Sequence, residues 1–393
     1  MLKRKKSAIL VTGLAIFSML FGAGNVVYPL IAGQYAGDKY IFAICSFLIS
    51  SILFAFIGVL AMVLFEGDYT KFFNRMGKKT GAIMTIFIMC LIGPLGAIPR
   101  IVTVSYGSIH HLFPNMSLTL FSLFSCVAIF FLTLKKNRMI DIIGYVLTPM
   151  LLGSLVLIII SAFFNMPPIP ITTHNTTDVL VKGFTYGNQT MDLLGAICFS
   201  TMIFNFLQTQ KTDCEKTNNK RVFFATLKAG CIGLFLLSLI YIGFVKVSAH
   251  FGNHINVAQS SEVLTNLASY VLGSKATILS SFAISLACIT TAIALSAVFT
   301  DFLYEKIFLK KIHYKICLAG SMVTTFLLST LNFNQIMNIL NPILQVFYPV
   351  LIVLSLINIL HKFFGFKMVK TPVYITLILS LLWQLHVKQI LFF

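Results

Sequence analysis

Phe21-Gly22-Ala23-Gly24-Asn25-Val26-Val27-Tyr28-Pro29 lies inside an apolar segment that runs from about 7 to 35. A run of that length crosses a bilayer, yet its centre holds two glycines, an asparagine and a proline. Unpaired backbone groups are expensive in lipid, so an unwound turn there must be covered by protein or water. Such a turn presents N–H and C=O groups at mid-membrane, where they suit a solute carboxylate and a cation. The same residues would also make a glycine-lined packing face, since Gly and Pro are frequent in membrane helices.

Three other stretches are more polar than packing requires. Asn188-Gln189-Thr190-Met191-Asp192-Leu193-Leu194-Gly195 opens another apolar segment and sets Asp192 beside a second expected helix break. An intramembrane carboxylate is a functional candidate by default; at an interface Asp192 would simply face water. Thr290 and Thr291 lie within an apolar span. Their hydroxyls, with carbonyls of the first helix, offer the hard oxygen ligands that a small cation needs. The competing reading is a bond back to the i−4 carbonyl, common for membrane threonines. Gly93-Pro94-Leu95-Gly96-Ala97-Ile98-Pro99-Arg100 predicts a kinked helix. There Arg100, after Pro99, is either a gate or ion-pair residue or a side chain that snorkels to an interface.

The elements that must position these residues follow from composition. The 393 residues are 58% hydrophobic and only 10% charged, with mean hydropathy +0.92. Soluble domains carry about 25% charged residues, so the chain is an integral membrane protein. Its net charge of +18 would suggest nucleic acid in a soluble protein. Here the basic residues cluster in alternate loops, which excludes that partner. Cysteines within apolar spans, with no Cys-x-x-Cys pair, read as small hydrophobes.

Applying the length of a spanning helix, eleven candidates emerge: 7–35, 40–65, 80–109, 116–134, 139–164, 188–208, 222–247, 274–304, 313–331, 335–360 and 371–391. One set of loops carries Lys3–Lys6, Lys71–Lys79, Lys135–Arg138, Lys211–Arg221, Lys306–Lys315 and Lys362–Lys370, whereas the opposite set is nearly free of basic residues. Positive residues stay cytoplasmic, so the N-terminus is expected inside and the chain end outside. Two external loops, 165–187 and 248–273, are long enough to be lids or plain connectors. The two expected breaks fall five spans apart. Segments 7–164 and 188–360 therefore form two expected halves of an inverted repeat with the solute between the broken pair, leaving 361–393 as a cytoplasmic loop and one accessory helix.

The motifs at 21–29, 93–106 (Gly-Pro-Leu-Gly-Ala-Ile-Pro-Arg-Ile-Val-Thr-Val-Ser-Tyr), 191–196 (Met-Asp-Leu-Leu-Gly-Ala) and 288–292 (Cys-Ile-Thr-Thr-Ala) resemble those of the branched-chain amino acid:cation symporter family. The resemblance runs in order from near residue 7 to about 360. It implies an all-α membrane protein of the LeuT-type fold, with a five-plus-five inverted repeat and broken helices 1 and 6. It also implies import of leucine, isoleucine and valine across a bacterial inner membrane, driven by Na+ or H+; no cofactor is expected, no protein partner is known, and the oligomeric state is left open. By the same resemblance, Gly22, Ala23, Gly24 and Asn25 bind the substrate carboxylate. Asn188, Gln189, Thr190 and Asp192 line the pocket, Gly195 permits the break, and the third span supplies a wall. Carbonyls near Ser18 and Phe21, with Ala287, Thr290 and Thr291, match a sodium position shared by relatives of the fold. In one respect the chain departs from the pattern: the family usually has twelve spans.

Rival readings are another amino acid carrier, a channel and a membrane-embedded enzyme. A channel would want a carbonyl filter or charged ring. An enzyme would want a His/Asp/Glu cluster at membrane depth, whereas the histidines lie mostly at loops and span ends.

Overall fold

The computed structural model of this chain describes residues 2–110, 112–134, 143–209, 219–252, 260–273 and 276–391. Among the described residues every regular element is helical. The chain begins with α1 (Leu2–Leu20), α2 (Ala23–Ala36), α3 (Tyr40–Leu48) and α4 (Phe54–Leu64). It continues with α5 (Tyr69–Phe73), α6 (Lys78–Ile92), α7 (Ala97–His110), α8 (Leu118–Thr133) and α9 (Thr148–Phe164). Then come α10 (Thr176–Gln189), α11 (Asp192–Thr209), α12 (Asn219–Phe251), α13 (Val263–Leu272) and α14 (Ala276–Phe302). The last three are α15 (Tyr314–Ser329), α16 (Phe333–Phe364) and α17 (Lys370–Leu391).

Seven segments of the described residues are long and apolar enough to cross a membrane: Ala23–Leu64, Lys78–His110, Ile143–Phe164, Thr176–Gln208, Lys220–Phe251, Ser280–Ile307 and Phe333–Phe364. Ile9–Leu20, Leu118–Thr133 and Tyr314–Ser329 are shorter apolar helices. Side chains such as Phe124, Phe131, Leu327 and Trp383 are each at least 60% exposed. An apolar exterior of this extent is stable against lipid and not against water. The protein is a multi-pass membrane protein.

Among the described residues three spans are interrupted, and each interruption has a local cause. The first break falls at Phe21-Gly22, where Gly22 is extended (φ −108°, ψ −160°) and caps α2. The second falls at Thr190-Met191, where Met191 adopts φ +66°. A left-handed non-glycine residue costs of order 1–3 kcal/mol and persists only where its surroundings hold it. The third separates α6 from α7 at 93–96. There the Leu95 N–H donates to the Cys90 carbonyl at 3.0 Å, one residue beyond the α-helical register. The kink expected from Pro94 and Pro99 is thus a full interruption. Pro99 sits in the first turn of α7, where its missing N–H has no intrahelical partner to lose.

One expectation about loops is corrected. Residues 165–187 are not a long connector, because α10 begins at Thr176 and forms the first half of the span broken at Thr190. Its polar composition (Thr176-Thr-Asp-Val-Leu-Val-Lys-Gly-Phe-Thr-Tyr-Gly-Asn-Gln189) hides it from an apolarity count. It packs instead by close approach. A Cβ at Gly187 would lie 2.7 Å from the Phe47 carbonyl, and one at Gly183 would lie 3.0 Å from the Ala43 carbonyl. Small residues four apart let helix backbones approach in this way. In the other long loop, α13 and the end of α12 are helical, and 253–259 lie outside the described residues.

Candidate functional site

The first and second breaks face each other in the core. Asn25, the third residue of α2, reaches back so that its Oδ1 accepts from the Gly22 N–H at 3.2 Å, half of a capping box. Its Nδ2 donates to an Asp192 carboxylate oxygen at 2.6 Å and to the Tyr241 hydroxyl on α12. Tyr241 donates to the other Asp192 oxygen at 2.7 Å, and the Thr190 hydroxyl stands 2.8 Å from that same oxygen. Asn25, Thr190, Asp192 and Tyr241 are all fully or nearly fully buried. Asp192 also opens α11, where the helix dipole favours a negative group. The adjacent Leu193 N–H donates to the Tyr348 hydroxyl at 3.2 Å, filling one of the donors that a helix start leaves unpaired.

Arg100 enters the same space from the first turn of α7. It is 3% exposed. Its two terminal nitrogens donate to the Gln189 carbonyl at 2.8 Å and the Thr190 carbonyl at 3.4 Å, at the end of α10. Met337 sulfur lies 3.8 Å from one of them, and the guanidinium stands 6.0 Å from the Tyr28 ring centre. A Cβ on Gly24 would lie 2.6 Å from that head and 3.1 Å from the Thr190 Cα, so glycine is required for this approach. The cavity left between the breaks measures about 30 Å³ and is lined by Gly22, Ala23, Asn25, Arg100, Asp192 and Thr291 among others. That is about the share of one liquid water.

Below Gly22, the first helix meets α14. The Ser18 carbonyl accepts from the Thr290 hydroxyl at 3.2 Å and the Thr291 hydroxyl at 3.1 Å. Thr290 Oγ1 is also 3.0 Å from the Ala287 carbonyl and 2.9 Å from the Leu286 carbonyl. Back-bonding and the link between helices therefore coexist at Thr290. The Ser18 hydroxyl is buried without a hydrogen-bond partner. Phe21 enters through its ring, stacked on Phe17 at 5.4 Å, while its carbonyl bonds to neither threonine.

The structure thus brings together Gly22, Ala23, Asn25, Thr190, Asp192, Gly195 and Arg100 around one cavity, with Gly24 against the Arg100 head. It brings Ser18, Ala287, Thr290 and Thr291 together beside it. Gln189 contributes its carbonyl, and Asn188 holds a buried side-chain oxygen without a hydrogen-bond partner. Gly195 lies one turn inside α11, where a Cβ would stand 2.9 Å from Leu20. It lines the cavity, while the backbone of the break itself turns at Met191. Tyr241, Tyr348, Tyr28 and Met337 were not among the sequence candidates. A tyrosine within the leucine- and isoleucine-rich α12 was the available signal.

The sequence model of the branched-chain amino acid transport protein family matches residues 5–392. A provisionally named branched-chain amino acid carrier protein of Staphylococcus epidermidis is 30% identical, covering 95% of this chain and 87% of that protein. One of Staphylococcus aureus is 29% identical, covering 94% and 86%. Among solved structures, the Eremococcus coleocola manganese transporter superposes with TM-score 0.61 at 16% identity, over 97% of this chain and 86% of that one. A nucleobase-cation-symport-1 family transporter in a closed conformation with bromovinylhydantoin bound gives 0.54 at 13%, over 96% and 92%. The fold is LeuT-like. By the extent of the match, the chain belongs to the branched-chain amino acid transport protein family.

Proposed function

We propose that this protein is a secondary active importer of leucine, isoleucine and valine, driven by Na+ or H+ moving with the substrate. The observation that carries the reading is the meeting of two helix breaks at Asn25 and Asp192. A helix N-terminus with small residues faces helix-end carbonyls across one cavity. The amides of Ala23 and Gly24, the first two of α2, suit a carboxylate, and Gly22 and Gly24 let it approach the backbone. The carbonyls of Gln189 and Thr190 suit an ammonium group. Ile92, Ile101, Phe199 and Leu295 around the same cavity suit an aliphatic side chain.

In this reading the oxygens of Ser18, Phe21, Ala287, Thr290 and Thr291 hold Na+ if sodium drives transport, and Asp192 takes the proton if protons do. Asn188 completes the pocket wall. Eleven helices cross a bacterial inner membrane with the N-terminus cytoplasmic. Segments 7–164 and 188–360 form the inverted repeats, and 361–393 adds a loop and an accessory helix. The partners are the solute, its coupling ion and lipid; there is no cofactor and no catalysis.

The test is uptake of labelled leucine into proteoliposomes, with sodium and proton gradients imposed separately. Leucine, isoleucine and valine should compete within about tenfold of one another, because one methylene is worth only about 1–3 kcal/mol. Lysine and glutamate should not compete. Equal competition by lysine refutes the substrate assignment. Failure of preloaded leucine to drive counterflow refutes a carrier in favour of a channel.

A further inference from the structure

A leucine and the observed Arg100 cannot occupy the site together. Ligand pockets usually measure about 300–1,000 Å³, whereas the cavity between the breaks measures about 30 Å³. The guanidinium takes up part of the remaining space. It packs against Gly24, beside the amides that suit the carboxylate, and donates to the carbonyls of Gln189 and Thr190, the acceptors that suit an ammonium. Its Nε is buried without a hydrogen-bond partner, so the head is held at one end only.

Charge points the same way. Asp192 accepts from Asn25 and Tyr241, with the Thr190 hydroxyl also beside it, a set of neighbours suited to an ionised, acceptor-only carboxylate. A buried anion needs a cation nearby whether or not substrate is bound. The loaded site receives that charge from a monovalent coupling ion, since a zwitterionic amino acid adds none. With neither bound, Arg100 is the cation within the cavity lining. A second, polar cavity lies along the same helix. One turn further along α7, Thr103 begins a cavity of about 380 Å³ lined by Tyr106, Glu262, Asn332 and Gln335.

We propose that Arg100 is a resident stand-in for substrate and coupling ion: it occupies the site of the empty carrier, neutralises Asp192 during the return step, and is displaced when both bind. This inference rests on the carrier reading above and adds a step that the reading does not require. Net uptake needs the empty carrier to return. Exchange of external for internal substrate does not, because the carrier crosses loaded in both directions.

The experiment compares gradient-driven net uptake with leucine–leucine exchange in proteoliposomes for wild type, Arg100→Gln and Arg100→Lys. Leucine-induced thermal stabilisation in detergent checks that each variant folds and binds. Arg100→Gln should lose net uptake by more than about tenfold, as expected when a buried charge loses its partner, while exchange stays within about twofold. Arg100→Lys, which keeps the charge but not the two-pronged donor set, should fall between and carries the test alone if the glutamine variant does not fold. Normal net uptake by either folded variant overturns the proposal. So does parallel loss of net uptake, exchange and leucine-induced stabilisation, which would make Arg100 a direct substrate ligand. Absence of exchange in the wild type instead overturns the carrier reading, and this proposal with it.

Discussion

Asn25 and Asp192 stand 2.6 Å apart, Nδ2 to carboxylate oxygen, across 167 residues of sequence. That one bond joins the break between α1 and α2 to the break between α10 and α11. Tyr241 closes the triangle from α12. Each group is buried, so each depends on the others for its hydrogen bonds.

Asn25→Ala should therefore do more than remove one contact. It leaves an Asp192 oxygen short of a donor, a loss of about 1–3 kcal/mol for a buried unsatisfied group, while the Gly22 amide keeps the Leu20 carbonyl at 2.8 Å. Initial rates of leucine uptake should fall at least about tenfold, with the protein still present in the membrane. Wild-type rates in this variant would show that the two breaks work independently.

Thr290→Ala and Thr291→Ala test the second cluster. Both hydroxyls bond to the Ser18 carbonyl, so each is committed to the junction of α1 and α14. Each variant should raise the cation concentration needed for half-maximal uptake by about tenfold or more, consistent with loss of one hard oxygen ligand. The KM for leucine at saturating cation should change little. An unchanged cation dependence in both variants rules this cluster out as the coupling site.

Gly24→Val addresses the close approach. Even with Arg100 displaced, a Cβ at this position would lie 3.1 Å from the Thr190 Cα, and backbone cannot swing aside as a side-chain end can. Uptake and exchange should both vanish while the variant still reaches the membrane. Gly24→Ala should retain more of both than the valine variant. Normal leucine transport by Gly24→Val would remove this stretch from the substrate site.

Gly187→Val concerns stability. A Cβ there meets Ser50 Oγ and the Phe47 carbonyl, so α10 must move away from α3. Overpacking of this kind costs about 1–3 kcal/mol, read as a lower Tm in detergent. Gly320→Ala, inside α15 and with nothing within 4 Å of the added methyl, is the control that should not lower Tm, since alanine favours a helix interior over glycine.

Composition and apolar run length by themselves determined the membrane-spanning, all-helical character, because lipid leaves few ways to satisfy a backbone. Two break positions were legible for a local reason. Gly22 and Gly24 in the first span, and Asp192 at the start of another, are residues that an uninterrupted lipid-facing helix does not favour. The polar half-helix Thr176–Gln189 was not legible, since it is held by Gly183 and Gly187 fitting against α3 and carries no apolar signal. The partners of the site belong to tertiary structure alone. Tyr241, Tyr348 and Met337 lie far from both breaks in sequence, and only folding decides which tyrosine faces Asp192 and which faces elsewhere. The position of Arg100 was decided in the same way: the sequence offered a gate, an ion pair or a snorkelling side chain. The interruption at 93–96 starts α7 beside the cavity between the other two breaks and aims the guanidinium at the carbonyls that end α10.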